Sequence, residues 1–548
     1  MVVAGVLLLA CSGPTDAAAP PVTPTPPTPP PVVTPGPDEP TPDAEGRGGT
    51  LRIGITEPAS LLPFEAVEPD ELLVVDALFD ALTRYEANFV VSPSAAQSWT
   101  HDDDGATWTF TLREGATFHD GSPVTADDFA FTWNLAVREG AAGHHHLRGV
   151  AGYDALRRGA AASLSGVEAV DERTLRVQLS APHADFPAVV GHPALAPVPR
   201  ERFRADPERF TGQPVGNGPF AAAEERVPGQ FIRLQRAPEW SNAGAPAALD
   251  EVLFQILDPE AAFVAFQQGR LQVSPLPEGA VEAAVEQFGA SPDGYEGPGV
   301  LRGPTATVYF LAFNVTQPPY DDPDVRRAIS LALDRQAIAD SAAGGHAEPV
   351  DAFVPPVLGG RAGACETCRH DPAEARRLLR ERDEPVGSLT LWFNRDGGHR
   401  TVAEQVRRDL AAVGLAPVVF RSPAFDEYLE VLEGGEAGFF RYGWRPEYPL
   451  ADDLLYPLFH SSQIEQHNYM RYASEDVDAL LDDARESLGL ARRRFLLRQA
   501  EDRIINRDQV VVPIMRFRHN HVVSEEVEGF RLDAMGNANL HRVTLRHQ

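Results

Sequence analysis

The stretch Trp99-Thr100-His101-Asp102-Asp103-Asp104-Gly105-Ala106-Thr107-Trp108-Thr109-Phe110-Thr111-Leu112-Arg113-Glu114-Gly115-Ala116-Thr117-Phe118-His119-Asp120-Gly121-Ser122-Pro123-Val124-Thr125-Ala126-Asp127-Asp128 decides how the fold is read. Within it Trp108, Phe110 and Leu112 alternate with threonines, the two-residue period of a strand with one buried face. Glu114-Gly115 turns the chain. Thr125-Ala126-Asp127-Asp128 then caps a helix that continues through Phe129, Trp133 and Val137. Strand, turn and capped helix make an α/β unit.

The same alternation of strands and helices extends outward in both directions. Upstream, Gly48-Gly49 leads into the strand pattern Leu51-Arg52-Ile53-Gly54-Ile55, and Asp70 to Leu82 reads as a helix with acidic residues at its start. Downstream, Leu175 to Leu179 and Gln230 to Gln235 alternate as strands, with a turn at Gly216-Asn217-Gly218-Pro219-Phe220. Val308 to Asn314 is a nearly continuous apolar strand and Asp324 to Leu333 an amphipathic helix. Leu389 to Phe393, Thr401 to Val413, Val477 to Arg485 and Arg492 to Asn506 continue the α/β design without an internal repeat.

With 548 residues, the chain exceeds what a single hydrophobic core supports, so two or three packed units are expected. The formal net charge is −31, from 79 acidic and 48 basic residues, and every basic residue is Arg. That balance excludes nucleic acid as a partner. Val2 to Ala10 is an apolar run too short to span a bilayer as a permanent helix and reads as the end of a signal peptide. Its ending, Leu8-Leu9-Ala10-Cys11, resembles a bacterial lipobox, which implies Cys11 as a lipid-bearing first residue of the mature protein. Residues 12–47 form a Pro/Thr/Ala tract expected to stay extended near polyproline II, a tether reaching up to about 100 Å from a membrane.

The long stretch quoted first resembles the peptide/nickel/oligopeptide class of ABC-transporter solute-binding proteins, family 5. Gly216-Asn217-Gly218-Pro219-Phe220, Pro318-Pro319-Tyr320-Asp321-Asp322-Pro323-Asp324-Val325-Arg326-Arg327-Ala328 and Gly443-Trp444-Arg445-Pro446-Glu447-Tyr448-Pro449 follow in the order that family has them. The resemblance covers residues 48 to about 545. It implies an α/β, periplasmic-binding-protein-like type II fold of two lobes and three domains with a hinged ligand cleft. Residues 48–93, 214–305 and 515–548 would form a discontinuous lobe I, 94–213 a smaller inserted domain, and 306–514 lobe II.

The resemblance also implies ligand contacts. Peptide-binding members carry an acidic residue three positions after a Trp, which pairs with the ammonium of the peptide. Here that position is Glu447, reached from Trp444, with Tyr448 beside it. Arg441 matches a cation that some oligopeptide-binding members direct at the ligand carboxylate. The expected partners are a short peptide, an ABC permease complex and a membrane held through the lipid anchor, for a monomer outside the cytoplasm. A non-peptide solute such as a metal chelate or a sugar is the alternative within the class, and an exported peptidase-like enzyme the alternative outside it. No Gly-x-Ser-x-Gly, His-Glu-x-x-His or phosphate-binding glycine loop supports an enzyme.

Cys365-Glu366-Thr367-Cys368 is expected to be a small structural disulfide. A redox pair or half a zinc site fits less well, because no second CxxC occurs and Gly359 to Gly363 reads as loop. His144-His145-His146 reads as a solvated loop, since consecutive side chains diverge on either a helix or a strand. No residue is assigned to a metal, and no cofactor is expected.

Overall fold

The computed structural model describes residues 48–546 except 87–88, 241, 243–245, 278 and 343–345. Cys11, the apolar run before it and the tract 12–47 lie outside the described residues. Among the described residues no helix is long and apolar enough to cross a membrane.

Three main sheets organise the chain. The first has seven strands in the order Gly299–Leu301, His521–Val523, Val273–Pro275, Thr50–Ile55, Glu251–Ile256, Phe231–Arg236 and Phe220–Ala222. Its central pair, Thr50–Ile55 and Glu251–Ile256, is parallel over six residues, with Leu51, Ile53 and Ile55 directed into the core. Three separated chain segments therefore contribute to one sheet. Gly54 is needed there because a Cβ would lie 2.8 Å from that of Ala262.

The second sheet has four antiparallel strands in the order Ala96–His101, Thr107–Leu112, Thr174–Gln178 and Val167–Asp171. Trp108, Phe110 and Leu112 are buried and the threonines between them are not, as the period-two pattern requires. Thr125 and Asp128 form the capping box of the helix Ala126–Glu139: the Thr125 N–H donates to Asp128 Oδ2 at 3.0 Å, and both reciprocal bonds are present. Trp133 anchors that helix, its indole N–H donating to the Leu195 carbonyl at 2.9 Å.

The third sheet runs Ala347–Pro349, Val511–Phe517, Val308–Phe313, Phe439–Trp444, Leu389–Trp392 and Val418–Arg421. Val308–Phe313 is buried along its whole length, consistent with its unbroken apolar run. Val511–Phe517 straddles residue 514, the expected limit of lobe II, so the chain leaves this sheet a few residues later than that limit.

Several motifs have structural explanations. The helix expected from Asp70 to Leu82 ends earlier, at Leu78, because the Gly216-Asn217-Gly218 turn presses on its end. The Gly218 N–H donates to the Leu78 carbonyl at 2.9 Å, and Asn217 pairs with the Asp80 backbone in both directions at 3.0 Å. A Cβ at Gly216 would lie 1.9 Å from the Leu78 oxygen, so no other residue fits there without displacing the backbone. Arg326, in the helix Pro323–Ala332, is buried and donates to the carbonyls of Gln509 at 2.9 Å and Tyr320 at 2.5 Å, which makes it an internal brace. Cys365 and Cys368 are joined by a disulfide with an S–S distance of 2.05 Å.

Candidate ligand cleft

The strand Phe439–Trp444 lies antiparallel to Val308–Phe313, with Trp444 opposite Val308. Beyond Trp444 the chain leaves the sheet and passes through Glu447 before the helix Asp452–Phe459 begins. The Glu447 N–H donates to Asp453 Oδ2 at 2.7 Å, which fixes the loop to the first turn of that helix.

A second segment, three hundred residues away in sequence, faces this loop. The helix Ala126–Glu139 stops at Gly140 in the left-handed conformation, and the 3-10 turn Ala142–Leu147 follows. Gly143 lets this turn dock: a Cβ there would stand 2.8 Å from that of Ala194 and 3.2 Å from the Phe64 carbonyl. The turn delivers His145 Nε2 to 2.6 Å from Glu447 Oε1 and His146 Nδ1 to 3.4 Å from Glu447 Oε2. His144 turns away, its Nδ1 lying 2.9 Å from the Tyr153 hydroxyl.

The reading of His144 to His146 as a solvated loop is therefore corrected. The His146 side chain is only 2% exposed, and its ring lies between those of His145, at 4.3 Å, and His192, at 4.1 Å. Consecutive side chains do diverge, but a carboxylate arriving from another part of the chain meets two of them at once. Sequence periodicity carries no information about that approach.

The cleft between the two segments has a volume of about 750 Å³. Arg148, Tyr153 and Phe186 line one side, and Trp444, Tyr456 and His467 the other. The Trp444 ring meets that of His467 edge to face at 5.2 Å. Tyr448 reaches the cleft wall but is 7% exposed; it belongs to the core of the four-stranded unit, with its hydroxyl 3.3 Å from Asp452 Oδ2. Arg441 does not line this cleft. It lies three positions before Trp444 on the same strand, so the two face opposite sides. Arg441 stacks on the Tyr309 ring at 5.1 Å and donates to Asn394 Oδ1 at 3.2 Å.

His183 and Arg485 complete the wall, and Asp452 is buried behind them. Arg485 grips Asp452 with two bonds of 2.9 and 2.8 Å, and lies 3.3 Å above the Tyr456 ring. Burial acts to raise the Asp452 pKa, but the Arg485 charge outweighs it and holds the carboxyl far below the usual range. Asp453 is pushed upward by burial and by the Glu447 charge. Burial acts upward on Glu447 too, yet its interactions with the surrounding imidazoles, His145 first, keep it below the ordinary glutamate value. Burial drives His146 and His192 well below the ordinary histidine value, so both rings are neutral. Sequence reasoning did not find His183, His192, His467 or Arg485; none sits in a local motif, and each joins the site through tertiary packing.

The comparisons with known proteins agree with this architecture. The family described as bacterial extracellular solute-binding proteins, family 5 (middle region), matches residues 90–466, more than half of the chain. The glutathione-binding protein GsiB of Salmonella typhi is 27% identical over 483 residues, covering 86% of this chain and 89% of that relative. HbpA2 of Haemophilus parasuis superposes with a TM-score of 0.80 at 23% identity, over 91% of this chain and 100% of the other. OppA of Haemophilus influenzae, solved in complex with the peptide RPPGFSPFR, gives 0.68 at 23% identity, over 91% and 99%. The fold is that of type II periplasmic binding proteins. The chain belongs to the family 5 bacterial extracellular solute-binding proteins, and is a binding protein rather than an enzyme.

Proposed function

We propose that this protein captures short peptides outside the cytoplasm and delivers them to an ABC permease, held to the membrane by a lipid on Cys11 and spaced from it by the tract 12–47. The observation that carries the reading is the placement of Glu447: an ionised carboxylate, one third exposed, at the mouth of a cleft between two packed halves. A charge-assisted bond from such a group to a ligand ammonium contributes about 1.5–3 kcal/mol, enough to select for a free amino end. Trp444 supplies an apolar wall beside it. The relatives support the reading to the extent of their names, which include a glutathione-binding protein and a murein tripeptide binding protein. Capture follows from closure of the halves about a hinge, which buries the ligand and gives the permease a distinct surface to recognise.

Isothermal titration with short peptides tests this. Peptides with free amino ends are expected to bind at about micromolar Kd, and their N-acetylated forms at least about tenfold more weakly. Equal binding of both forms removes the proposed role of Glu447. Native mass spectrometry of the full chain, purified without refolding, is expected to show a spread of short-peptide masses; a single non-peptide mass overturns the peptide assignment.

A further inference from the structure

His145 presents an unusual electrostatic arrangement. Its Nδ1 lies 2.7 Å from the Ala142 carbonyl, which only accepts, so Nδ1 carries a proton. In the neutral ring Nε2 then holds a lone pair, and it faces Glu447 Oε1, another acceptor, at 2.6 Å. Two acceptors at that distance need a cation to hold them together. A carbonyl that fixes Nδ1–H and turns Nε2 outward is also the arrangement by which proteins orient a metal-binding imidazole.

His146 adds a second, independent observation. Its Nδ1 is buried and has no hydrogen-bond partner, and it is directed at the other oxygen of the same carboxylate. A buried nitrogen left this way loses its solvation without compensation unless something occupies the space before it. The three donor atoms, His145 Nε2, His146 Nδ1 and a Glu447 oxygen, all lie within 4.8 Å of one another. His192 holds the arrangement rigid: its ring packs on His146, and its Nδ1 accepts the Ala194 N–H at 3.1 Å.

From these contacts we infer that His145, His146 and Glu447 form a binding site for a divalent first-row transition metal ion of the zinc, nickel or copper class. Two imidazole nitrogens and one carboxylate suit such ions and do not suit Ca²⁺ or Mg²⁺, which take oxygen donors. With bonds of about 2.0–2.2 Å, tetrahedral ligand atoms stand about 3.4 Å apart. His146 Nδ1 already stands at that distance from Glu447 Oε2, and His145 Nε2, at 2.6 Å from Oε1, has to withdraw from that oxygen by less than about 1 Å. Three protein donors leave at least one coordination position open, and it faces the cleft. There it would take an amine, carboxylate or thiolate of the captured solute, so a ligand's amino end would meet the metal as a free amine instead of meeting Glu447 as an ammonium. This last step rests on the cleft being the ligand site; the metal site itself does not.

The test is calorimetric titration of Zn²⁺ into the full-length chain, treated with EDTA and shown by native mass spectrometry to carry no peptide. One ion per chain is expected, with affinity falling at least about tenfold in His145→Gln and in Glu447→Gln. His144→Gln should bind as the wild type does, because its Nδ1 is engaged with Tyr153. His145 is one quarter exposed, so its replacement buries no new group; circular dichroism without metal confirms the fold of each variant. Cu²⁺ in the same protein is expected to show electron-spin coupling to two imidazole nitrogens. Absence of saturable Zn²⁺ binding, or binding unchanged in the His145→Gln/His146→Gln double variant, overturns the site and leaves a proton as the cation between His145 and Glu447. Peptide binding measured in EDTA is a separate readout, so failure of the metal site and failure of the peptide reading are distinguishable.

Discussion

Asp452 and Glu447 stand five residues apart, the first buried behind the cleft wall and the second lining it, and their surroundings are opposite. Asp452 is 3% exposed and held by two bonds from a guanidinium; Glu447 is 33% exposed and faced by imidazoles. Arginine is charged at every relevant pH and its fork matches a carboxylate, so the Asp452–Arg485 pair is permanent. An imidazole can surrender its proton, so the cation at Glu447 can be exchanged for another. The first carboxylate is part of the frame and the second is available to a ligand.

Replacing Arg485 by Met should break this contrast most severely. It leaves Asp452 buried and charged without its guanidinium, with the Tyr448 hydroxyl and His183 beside it, and a loss of about 3 kcal/mol in urea unfolding is expected, most of it restored by adding Asp452→Asn. The pair also sets a sign for pH. Because the folded pKa of Asp452 is depressed, its stabilisation is complete above the ordinary value of 3.8 and is lost as pH falls below it.

Glu501 sharpens the comparison from the other side. It is a buried carboxyl that accepts the N–H groups of Phe353 and Val354 at 3.0 and 2.8 Å, and burial lifts its pKa from 4.5 to about 7. A raised carboxyl stabilises the fold below pH 4.5, and that contribution disappears as pH rises to about 7. Glu501→Gln keeps the acceptor, so its stability relative to wild type should grow by up to about 3 kcal/mol across that interval, as thermal melts at several pH values would show.

Glu447→Ala should cost about 1.5–3 kcal/mol of peptide affinity in metal-free buffer while changing unfolding stability by less than about 1 kcal/mol. A large loss of stability instead would class Glu447 with Asp452. The smallest effect is expected from Tyr153→Phe, which removes the hydroxyl beside His144. Stability should fall by about 0.5–1.5 kcal/mol in a thermal melt.

Sequence alone determined the elements whose burial is set by local period and capping. The strand containing Trp108, Phe110 and Leu112, the helix capped by Thr125 and Asp128, and the apolar strand Val308–Phe313 were all legible, because neighbouring residues decide which face turns inward. The family was legible for a related reason: its motifs are short-range structures, such as the Gly216-Asn217-Gly218 turn, that only a few residue types can build. Glu447 and Trp444 were named from such a motif. Only the tertiary structure decided what faces Glu447. His145 and His146 reach it across 302 and 301 positions of chain, His192 and His467 join from two further segments, and Arg441, named with it, turns to the other face of its strand. Periodicity reports the environment of a residue along its own element; the charge and donor atoms that meet it across a cleft come from how the elements pack.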